Sequence, residues 1–210
     1  MISFKEKINM SLIKNNIKIE KNPFDLLEKW YKKAKKNEIS NPNAMALSTV
    51  GPFNKPRTRM VLMKEIKENG IIFYTNSNSR KGNHINDNKN VSINFYWKSI
   101  DRQVLISGKI KKISSQESDK YFLTRNRKSQ IGAWASKQSQ QLKSKSNLKT
   151  KFDEIDEKYK GKEIPRPKYW NGYCVYPDSF EFWLQGEGRL HDRVEYKIKS
   201  GQWITKLLYP

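Results

Sequence analysis

The densest group of reactive side chains in this sequence lies between Phe182 and Arg193, in the segment FWLQGEGRLHDR. A core strand rarely contains so many polar groups, because each group loses its hydrogen bonds to water on burial. Trp183 offers a flat ring face, Arg189 can stack on a ring or hold an anion, and His191 can change charge near neutral pH. These properties favour a ligand site. The residues alone leave open the alternative of a salt-bridged loop that leads into a strand.

A second candidate site begins at Ser79, which is a typical N-cap residue for a short helix. Arg80 and Lys81 then fall in the first helical turn, where cations oppose the helix dipole. An anion bound among the free backbone N–H groups would remove this conflict. The segment therefore predicts a phosphate site, and the alternative is simple surface display of two basic residues.

A third group follows a helix that we expect to begin near Ser114, where Glu117 completes a capping box. Tyr121 and Arg125 are four residues apart and would share a helix face, with Ser129 just past the helix end. Two hydroxyls and a guanidinium that converge on one point would bind a phosphate ester. On spacing alone, an ordinary exposed face remains the alternative.

Serial short strands with hairpin spacing predict an antiparallel barrel that positions these groups. Residues 1–21 have no clear period and are predicted to form a mobile basic arm, and residues 22–210 a single domain that opens with a helix capped by Asn22. The predicted strands are Ala44–Val50, Arg57–Ile66, Ile71–Asn76, Val91–Trp97, Arg102–Ile113, Tyr173–Tyr176, Ser179–Leu184, Arg193–Lys199 and Trp203–Leu208. Further helical segments are predicted over Ile131–Lys137 and Leu148–Tyr159.

The composition is strongly basic, with a net charge of +21 from 42 basic and 21 acidic residues among 210. Such a charge raises the prospect of nucleic acid or an anionic membrane surface as a partner. The lysines are spread along the whole chain, however, which favours a solvated surface, so we expect neither partner. A single cysteine, Cys174, excludes an internal disulfide and a cysteine metal cluster, and no metal site is predicted. Without a long apolar segment, a soluble cytoplasmic protein is expected.

Several blocks of this sequence, in order, resemble the pyridoxamine 5'-phosphate oxidase family. The C-terminal block is the Phe182-Trp183 pair followed by Arg189-Leu190-His191-Asp192-Arg193. The others are Arg59-Met60-Val61-Leu62-Met63-Lys64, Phe73-Tyr74-Thr75-Asn76, Ser79-Arg80-Lys81, Arg102-Gln103-Val104, and Ser129 to Ser139. The resemblance runs from about Asn41 to the C-terminus. It implies a mainly β, α+β fold, namely an FMN-binding split β-barrel with flanking helices.

The resemblance also implies an activity, which is oxidation of pyridoxamine or pyridoxine 5'-phosphate to pyridoxal 5'-phosphate by a homodimer. FMN would be the cofactor, O2 the acceptor and H2O2 the product, with each site at the subunit interface. The implied FMN ligands are Arg59, Met60, Val61, Leu62, Met63, Lys64, Tyr74, Thr75, Arg80, Lys81, Gln103, Gln138, Ser139, Trp183 and Arg193. Substrate would contact Lys64, Tyr121, Arg125, Ser129, Arg189, Leu190 and His191, with Arg189 and His191 in the catalytic role.

Two other classes of function stay open at this point. Another FMN split-barrel oxidoreductase would share the cofactor residues but has no need of Tyr121, Arg125 and Ser129 together. A basic nucleic-acid-binding module would account for the charge, but dispersed lysines provide no groove for a strand. The chain also departs from the family pattern at Asn41, where an acid is usual, at Leu184, where Gln is frequent, and before its C-terminal Leu208-Tyr209-Pro210, where an arginine is common.

Overall fold

A computed structural model describes residues 15–210, and its centre is one antiparallel sheet. The strand order is β2-β1-β5-β6-β7-β4-β3. In addition, β8 pairs with the C-terminal half of β7, and β9 pairs with β8. The sheet curls into a half-barrel with helices on its flanks, as the serial hairpins predict. The predicted fold class, an antiparallel split barrel, is confirmed.

The strands follow the alternation of the sequence closely. They are β1 (Ala44–Val50), β2 (Pro56–Leu62), β3 (Glu65–Lys67), β4 (Gly70–Asn76), β5 (Asn90–Trp97), β6 (Arg102–Lys112), β7 (Trp170–Leu184), β8 (Asp192–Lys199) and β9 (Gln202–Leu207). The helices are α1 (Pro23–Asn37), α2 (Arg80–Asp87), α3 (Ser115–Leu123), α4 (Arg127–Ala135) and α5 (Lys145–Lys158).

Helix α1 closes the barrel with an apolar face. Its N-cap is Asn22, whose side chain accepts from the Phe24 amide, and Pro23 occupies the first turn as predicted. Trp30 meets Phe182 edge to face at 5.2 Å between ring centroids, and Phe24 meets Phe180 at 5.1 Å. These aromatic contacts join α1 to the middle of the sheet.

Strand β7 differs from the two separate strands predicted at Tyr173–Tyr176 and Ser179–Leu184. It is continuous and pairs with β6 from Tyr173 to Leu184, while its other edge pairs first with β4 and then with β8. The register shifts where Ser107 pairs with Ser179 and Gly108 pairs with Pro177, so Asp178 forms a bulge. Pairing on both edges overrides the local turn signal of Pro177 and Asp178 and makes β7 the spine of the sheet.

Three further boundaries differ from the sequence prediction. The predicted strand Arg57–Ile66 breaks after Leu62 and resumes at Glu65. Helix α3 ends at Leu123, so Arg125 lies beyond it instead of on the predicted helix face. Ser129 is in the first turn of α4, where Asn126 caps the new helix by accepting from the Ser129 amide at 2.8 Å.

Helices α3, α4 and α5 enclose a second, smaller core beside the start of β7. Its buried members are Phe122, Ile131, Ile155, Ile164 and Trp170. The capping box predicted for Ser114 and Glu117 is present, and Ser118 accepts a hydrogen bond from the Gly172 amide of β7 at 3.1 Å. This cluster therefore fixes the helices that carry Tyr121 and Ser129 against the barrel.

The predicted N-terminal arm covers residues 1–21, of which residues 1–14 lie outside the described part of the chain. Residues 15–21 pack along the barrel. Ile17 is buried, the Asn16 amide donates to Asp192, and the Glu20 amide donates to the Tyr196 hydroxyl at 3.1 Å. Residues 15–21 are therefore in contact with the barrel, and the mobility of the arm stays a prediction.

Within residues 15–210, no helix has the length and apolar character needed to cross a membrane. The same residues contain no cluster of three or more His, Cys, Asp or Glu placed to hold a metal ion. Cys174 is buried and free, and burial raises the pKa of its thiol, as expected of an inert core cysteine.

Candidate functional site

A basic cavity of about 360 Å³ lies where β2, α2 and the loop after α4 meet. Its lining residues are Arg57, Thr58, Arg59, Arg80, Lys81, Gln138 and Ser139. Four of these are cations and none is an acid, so the cavity has a strong positive potential. A small anion such as a phosphate monoester is the ligand that this chemistry suits.

Lys81 is the most constrained of the four cations, with only 7% of its surface exposed. Its ammonium donates to Gln138 Oε1 at 2.8 Å, Thr75 Oγ1 at 3.0 Å and Ser79 Oγ at 3.1 Å. All three acceptors are neutral, and among the described residues no carboxylate lies within ion-pair distance of this lysine. Burial, and then repulsion from Arg59, lower the pKa of Lys81 to about 8.

The first turn of α2 has the arrangement that the sequence predicts. Ser79 is the N-cap and its side chain accepts from the Gly82 amide, with Arg80 and Lys81 following. Gly82 is required because a Cβ there would lie 2.1 Å from the Ser77 carbonyl oxygen. The helix start is thereby held against the preceding turn, with both cations at the basic cavity.

Arg59 enters the same cavity from β2. One guanidinium nitrogen, Nη1, donates to the Leu47 carbonyl at 3.0 Å and to Thr49 Oγ1 at 2.8 Å. Burial, followed by repulsion from Arg57 and Arg80, lowers the pKa of Arg59 from its usual value. Like Lys81, this cation is held by neutral oxygens and leaves its charge uncompensated.

A larger cavity of about 740 Å³ adjoins the basic one and shares Lys81 and Gln138 with it. Predicted site residues that line it are Met60, Val61, Leu62, Lys64, Tyr74, Thr75, Tyr121, Arg125 and Ser129. The three residues that spacing alone grouped loosely, Tyr121, Arg125 and Ser129, therefore do converge on one space.

Aromatic stacking positions the polar groups of the large cavity. Tyr121 stacks on Tyr74 with ring centroids 4.0 Å apart, and Trp170 stacks on Tyr74 at 5.1 Å. The guanidinium of Arg125 lies over Trp170, 4.6 Å from its centroid. Burial, and then the charges of Glu65 and Tyr121, raise the pKa of Tyr74 to about 12, which keeps its hydroxyl protonated.

Arg125 has an unsatisfied donor in this cavity. Its Nη1 is buried and has no hydrogen-bond partner within residues 15–210, and burial lowers the pKa of the side chain. A buried N–H group without an acceptor costs roughly 1–3 kcal/mol, and more when the group is charged. Because Arg125 also lines the cavity, an anion bound there would offset its uncompensated charge.

The break in the strand after Leu62 explains how Arg59 and Lys64 come to line two neighbouring cavities. Alternation along β2 directs Arg57 and Arg59 to the basic cavity, and the backbone then leaves the β2 ladder. The Lys64 amide donates instead to the Ile72 carbonyl at 2.8 Å, and its side chain lines the large cavity. The sequence alone left this point open.

Met63, a predicted cofactor residue, lines neither cavity, and several residues that do line the cavities were not predicted. The Met63 side chain is 3% exposed and lies in the barrel core, while its backbone N–H and C=O are taken by Asn43. Arg57 lines the basic cavity but was not predicted. Its position two residues before Arg59 on a strand, and hence on the same face, was the available signal.

A second group of predicted site residues lies on the outer face of the sheet, on β6, β7 and β8. Gln103 pairs with Trp183, and Trp183 pairs with Arg193, so the three side chains form a row across the strands. Their sequence neighbours Val104, Phe182 and Val194 are fully buried in the core. The row therefore faces away from the core, and none of its members lines the two cavities.

The loop that joins β7 to β8 extends this row. It contains a short 3-10 turn, Glu187–Arg189, in which Arg189 has a left-handed backbone (φ 65) and an exposed side chain. A Cβ at Gly186 would lie 2.0 Å from the Leu190 carbonyl oxygen, so the loop closes tightly on this glycine. The exposed Leu190 and the half-buried His191 follow.

His191 is fixed by two contacts. Its ring lies against Trp183 with centroids 4.6 Å apart, and its Nδ1 accepts from the Gly186 amide at 3.2 Å. The neutral ring therefore carries its proton on Nε2, where it is available to a ligand. Arg193 is held differently, by an ion pair with Glu181 at 2.8 Å and a hydrogen bond to the Tyr209 carbonyl. The salt-bridged alternative thus fits Arg193 but not Arg189.

Comparison with known proteins finds matches along most of the chain. Residues 31–159 match the family model described as pyridoxamine 5'-phosphate oxidase, and residues 170–210 match the pyridoxine 5'-phosphate oxidase C-terminal dimerisation region. The pyridoxine/pyridoxamine 5'-phosphate oxidase of Pelagibacter ubique is 45% identical over 90% of this chain and 91% of its own length. A protein of the same description from Hydrogenovibrio crunogenus is 46% identical over 90% and 89%.

Among solved structures, PhzG from Burkholderia lata, in complex with tetrahydrophenazine-1-carboxylic acid, superposes with a TM-score of 0.87 and 30% identity over 91% of this chain and 94% of that one. A pyridoxamine 5'-phosphate oxidase-related, FMN binding protein from Nostoc punctiforme superposes with a TM-score of 0.72 at 15% identity, covering 91% of this chain and all of that one. The second likeness supports the fold.

The buried charge of Lys81 predicts how stability changes with pH. Between its folded pKa of about 8 and the ordinary lysine value of 10.5, the unfolded chain binds the proton and the folded chain does not. The penalty of burying this charge is thus fully present below pH 8 and fades as the pH rises. For the ligand-free protein, we expect the unfolding free energy of wild type relative to Lys81→Met to increase across this window, with a slope approaching about 1.4 kcal/mol per pH unit.

Urea titrations of both proteins at matched pH values measure this difference, because the other titrating groups cancel between them. A difference that stays flat from pH 7.5 to 10.5 would show that Lys81 is not a desolvated cation.

Proposed function

This chain belongs to the pyridoxamine 5'-phosphate oxidase family, and from that premise we propose that it oxidises pyridoxamine or pyridoxine 5'-phosphate to pyridoxal 5'-phosphate. In the proposed reaction O2 is reduced to H2O2, and oxidation of the amine also consumes water and releases ammonia. The observation that best supports a phosphorylated substrate is the buried, unpaired Arg125 nitrogen in a cavity that also holds Lys64, Tyr121 and Ser129.

The cofactor is FMN, the flavin of this family, and the basic cavity fits its phosphate. The fit rests on the cluster of cations without an acid and on the buried Lys81, whose hydrogen-bond partners are all neutral. When bound, FMN supplies a two-electron acceptor for the hydride that leaves C4' of the substrate, which no side chain of this chain could provide. We assign the phosphate to Arg59, Arg80 and Lys81, with Arg57 as an added contact.

The large cavity would bind the substrate. In this assignment Lys64, Arg125, Tyr121 and Ser129 bind its phosphate, the two cations through charge and the two hydroxyls through directed hydrogen bonds. The stack of Tyr74, Tyr121 and Trp170 holds these groups rigidly, so little ordering is needed on binding. Binding of the phosphate there fixes the distance from the substrate's anchored end to its reacting carbon.

A complete site needs a second copy of the chain. Gln103, Trp183, Arg189, His191 and Arg193 form the outward-facing row and its loop, and they do not line either cavity of their own chain. The chain also contains the C-terminal dimerisation region of the family. We propose that the row of one subunit covers the cavities of the other in a homodimer. Arg189 and His191 would then face the pyridine ring and hold it against the flavin.

The proposed roles of Met60, Val61, Leu62, Tyr74, Thr75, Gln138 and Ser139 are contacts to the flavin, and that of Leu190 is a contact to substrate.

Another split-barrel oxidoreductase remains the second candidate, because PhzG, captured with a phenazine carboxylic acid, has the same fold. That ligand has a carboxylate but no phosphate ester, so a comparison of phosphorylated and dephosphorylated substrates separates the two candidates. The cytoplasmic location stays a prediction.

The assigned phosphate ligands predict a large preference for FMN over riboflavin, which lacks the phosphate. Each charge-assisted hydrogen bond contributes roughly 1.5–3 kcal/mol, so the preference should reach at least about 100-fold in Kd. It should decline as the pH rises above about 8, where Lys81 loses its proton in the ligand-free protein. Quenching of flavin fluorescence measures both dissociation constants, and equal affinities would reject the assignment.

The assignment of Arg189 to the substrate ring predicts that Arg189→Lys retains FMN but loses activity. Lysine keeps the charge but not the planar guanidinium that can stack and donate in a fixed direction. We expect kcat/KM for pyridoxine 5'-phosphate to fall at least about tenfold, or ~1.4 kcal/mol.

The matched control is Arg127→Lys, because Arg127 forms an exposed ion pair with Asp156 and lines neither cavity. It should leave kcat/KM unchanged. Steady-state release of peroxide, read beside the flavin spectrum of each variant, distinguishes the cases. Turnover near wild type in Arg189→Lys would contradict the assignment.

A further inference from the structure

Behind the basic cavity, a buried chain of hydrogen bonds joins three separate elements. Arg59 of β2 donates from Nη1 to Thr49 Oγ1 of β1 at 2.8 Å. Thr49 Oγ1 in turn lies 3.1 Å from Nδ1 of His84, which belongs to α2. Thr49 is 1% exposed and His84 is 6% exposed, so water competes little for these bonds.

We propose that Thr49 and His84 are positioning residues that fix Arg59 relative to the first turn of α2, and so set the geometry of the FMN phosphate site. This inference rests on the proposed function, because it takes Arg59 and Lys81 as phosphate ligands. Neither Thr49 nor His84 lines the basic cavity, and both act through the guanidinium that does.

The direction of each proton in the chain follows from the donor inventory. An arginine nitrogen can only donate, so Thr49 Oγ1 accepts from Arg59. The hydroxyl proton of Thr49 then needs an acceptor, and within residues 15–210 the neighbour that can serve is Nδ1 of His84. This order satisfies every group if Nδ1 is bare and the neutral ring has its proton on Nε2. If Nδ1 carried the proton, Arg59 Nη1 and His84 Nδ1 would both donate to Thr49 Oγ1. The hydroxyl proton of Thr49 would then have no acceptor.

The His84 ring lies in close contact with the backbone of Gly51. A Cβ on Gly51 would lie 2.5 Å from His84 Cε1 and 2.6 Å from Nε2, so the imidazole packs directly on the glycine that follows β1. On the same helix, the first turn holds Arg80 and Lys81. The imidazole therefore clamps α2 to β1, and Thr49 transmits this position to Arg59. The result is that the cations from β2 and α2 meet at a fixed separation.

Two matched pairs of variants test the proposal in the full-length protein. His84→Asn retains an acceptor near the position of Nδ1, whereas His84→Leu removes it. Thr49→Ser retains the hydroxyl, whereas Thr49→Val removes it at nearly constant volume. The dissociation constants for FMN and riboflavin are measured for each variant by fluorescence quenching, with no turnover required.

We expect His84→Leu and Thr49→Val to weaken FMN binding by about tenfold or more while riboflavin binding changes less than about threefold. His84→Asn and Thr49→Ser should remain within about threefold of wild type for both flavins. An equal loss for both flavins would mean a merely structural role and would overturn the proposal. So would unchanged FMN binding in His84→Leu and Thr49→Val. If wild type itself fails to prefer FMN, the proposed cofactor site fails instead.

The proton assignment has its own spectroscopic test on the wild-type protein, in which a variant serves only to assign the signals. The chain has two histidines, so a long-range ¹H–¹⁵N spectrum of the ligand-free protein at alkaline pH contains two imidazole patterns. The pattern that is missing in His84→Asn belongs to His84. We expect it to show a bare Nδ1 and a protonated Nε2. A protonated Nδ1 would overturn the proposed order of donors.

Discussion

Lys81 holds a buried positive charge whose hydrogen-bond acceptors are all neutral, and the basic cavity is organised around it. Its ammonium is satisfied by hydroxyl and amide oxygens of Thr75, Ser79 and Gln138, which supply hydrogen bonds but no countercharge. A cation in this state is costly, and its pKa falls to about 8 as a consequence. The free-energy cost of burying this charge would fall on binding of an anion in the cavity. An anion would offset this uncompensated charge, which is the physical basis of the proposed phosphate site.

The second constraint is the division of the site between two surfaces of one sheet. Strand β7 pairs on both edges, so the residues that alternate along it face either the barrel core or the outside. Phe182 faces the core, and Trp183 faces outward beside Gln103 and Arg193. A single chain therefore presents the cavities in one region and, in another, the row that we propose covers the cavities of the partner subunit. Twofold symmetry is the simplest arrangement that brings both together twice.

Local signals in the sequence predicted most of the fold and many of the residues that line the two cavities. Capping residues such as Asn22, Ser79 and Ser114 predicted where helices begin, because their side chains satisfy free N–H groups within a few residues. Features that depend on contacts between residues far apart in the chain could not be predicted from local sequence signals. The continuity of β7 across Pro177 depends on partners far along the chain, and the link between Thr49 and His84 joins residues whose types suggest nothing when read separately.

Subunit complementation tests the shared site most directly. Arg125→Met removes a residue of the large cavity and Arg189→Met removes one of the outward-facing loop. Each homodimer should be inactive, but a mixed dimer restores one intact site from the two unaltered halves. Random exchange at equal concentrations should then recover about a quarter of wild-type peroxide release, since about half the dimers are mixed and each has one working site. No recovery, with mixed dimers verified by native mass spectrometry, would contradict the account.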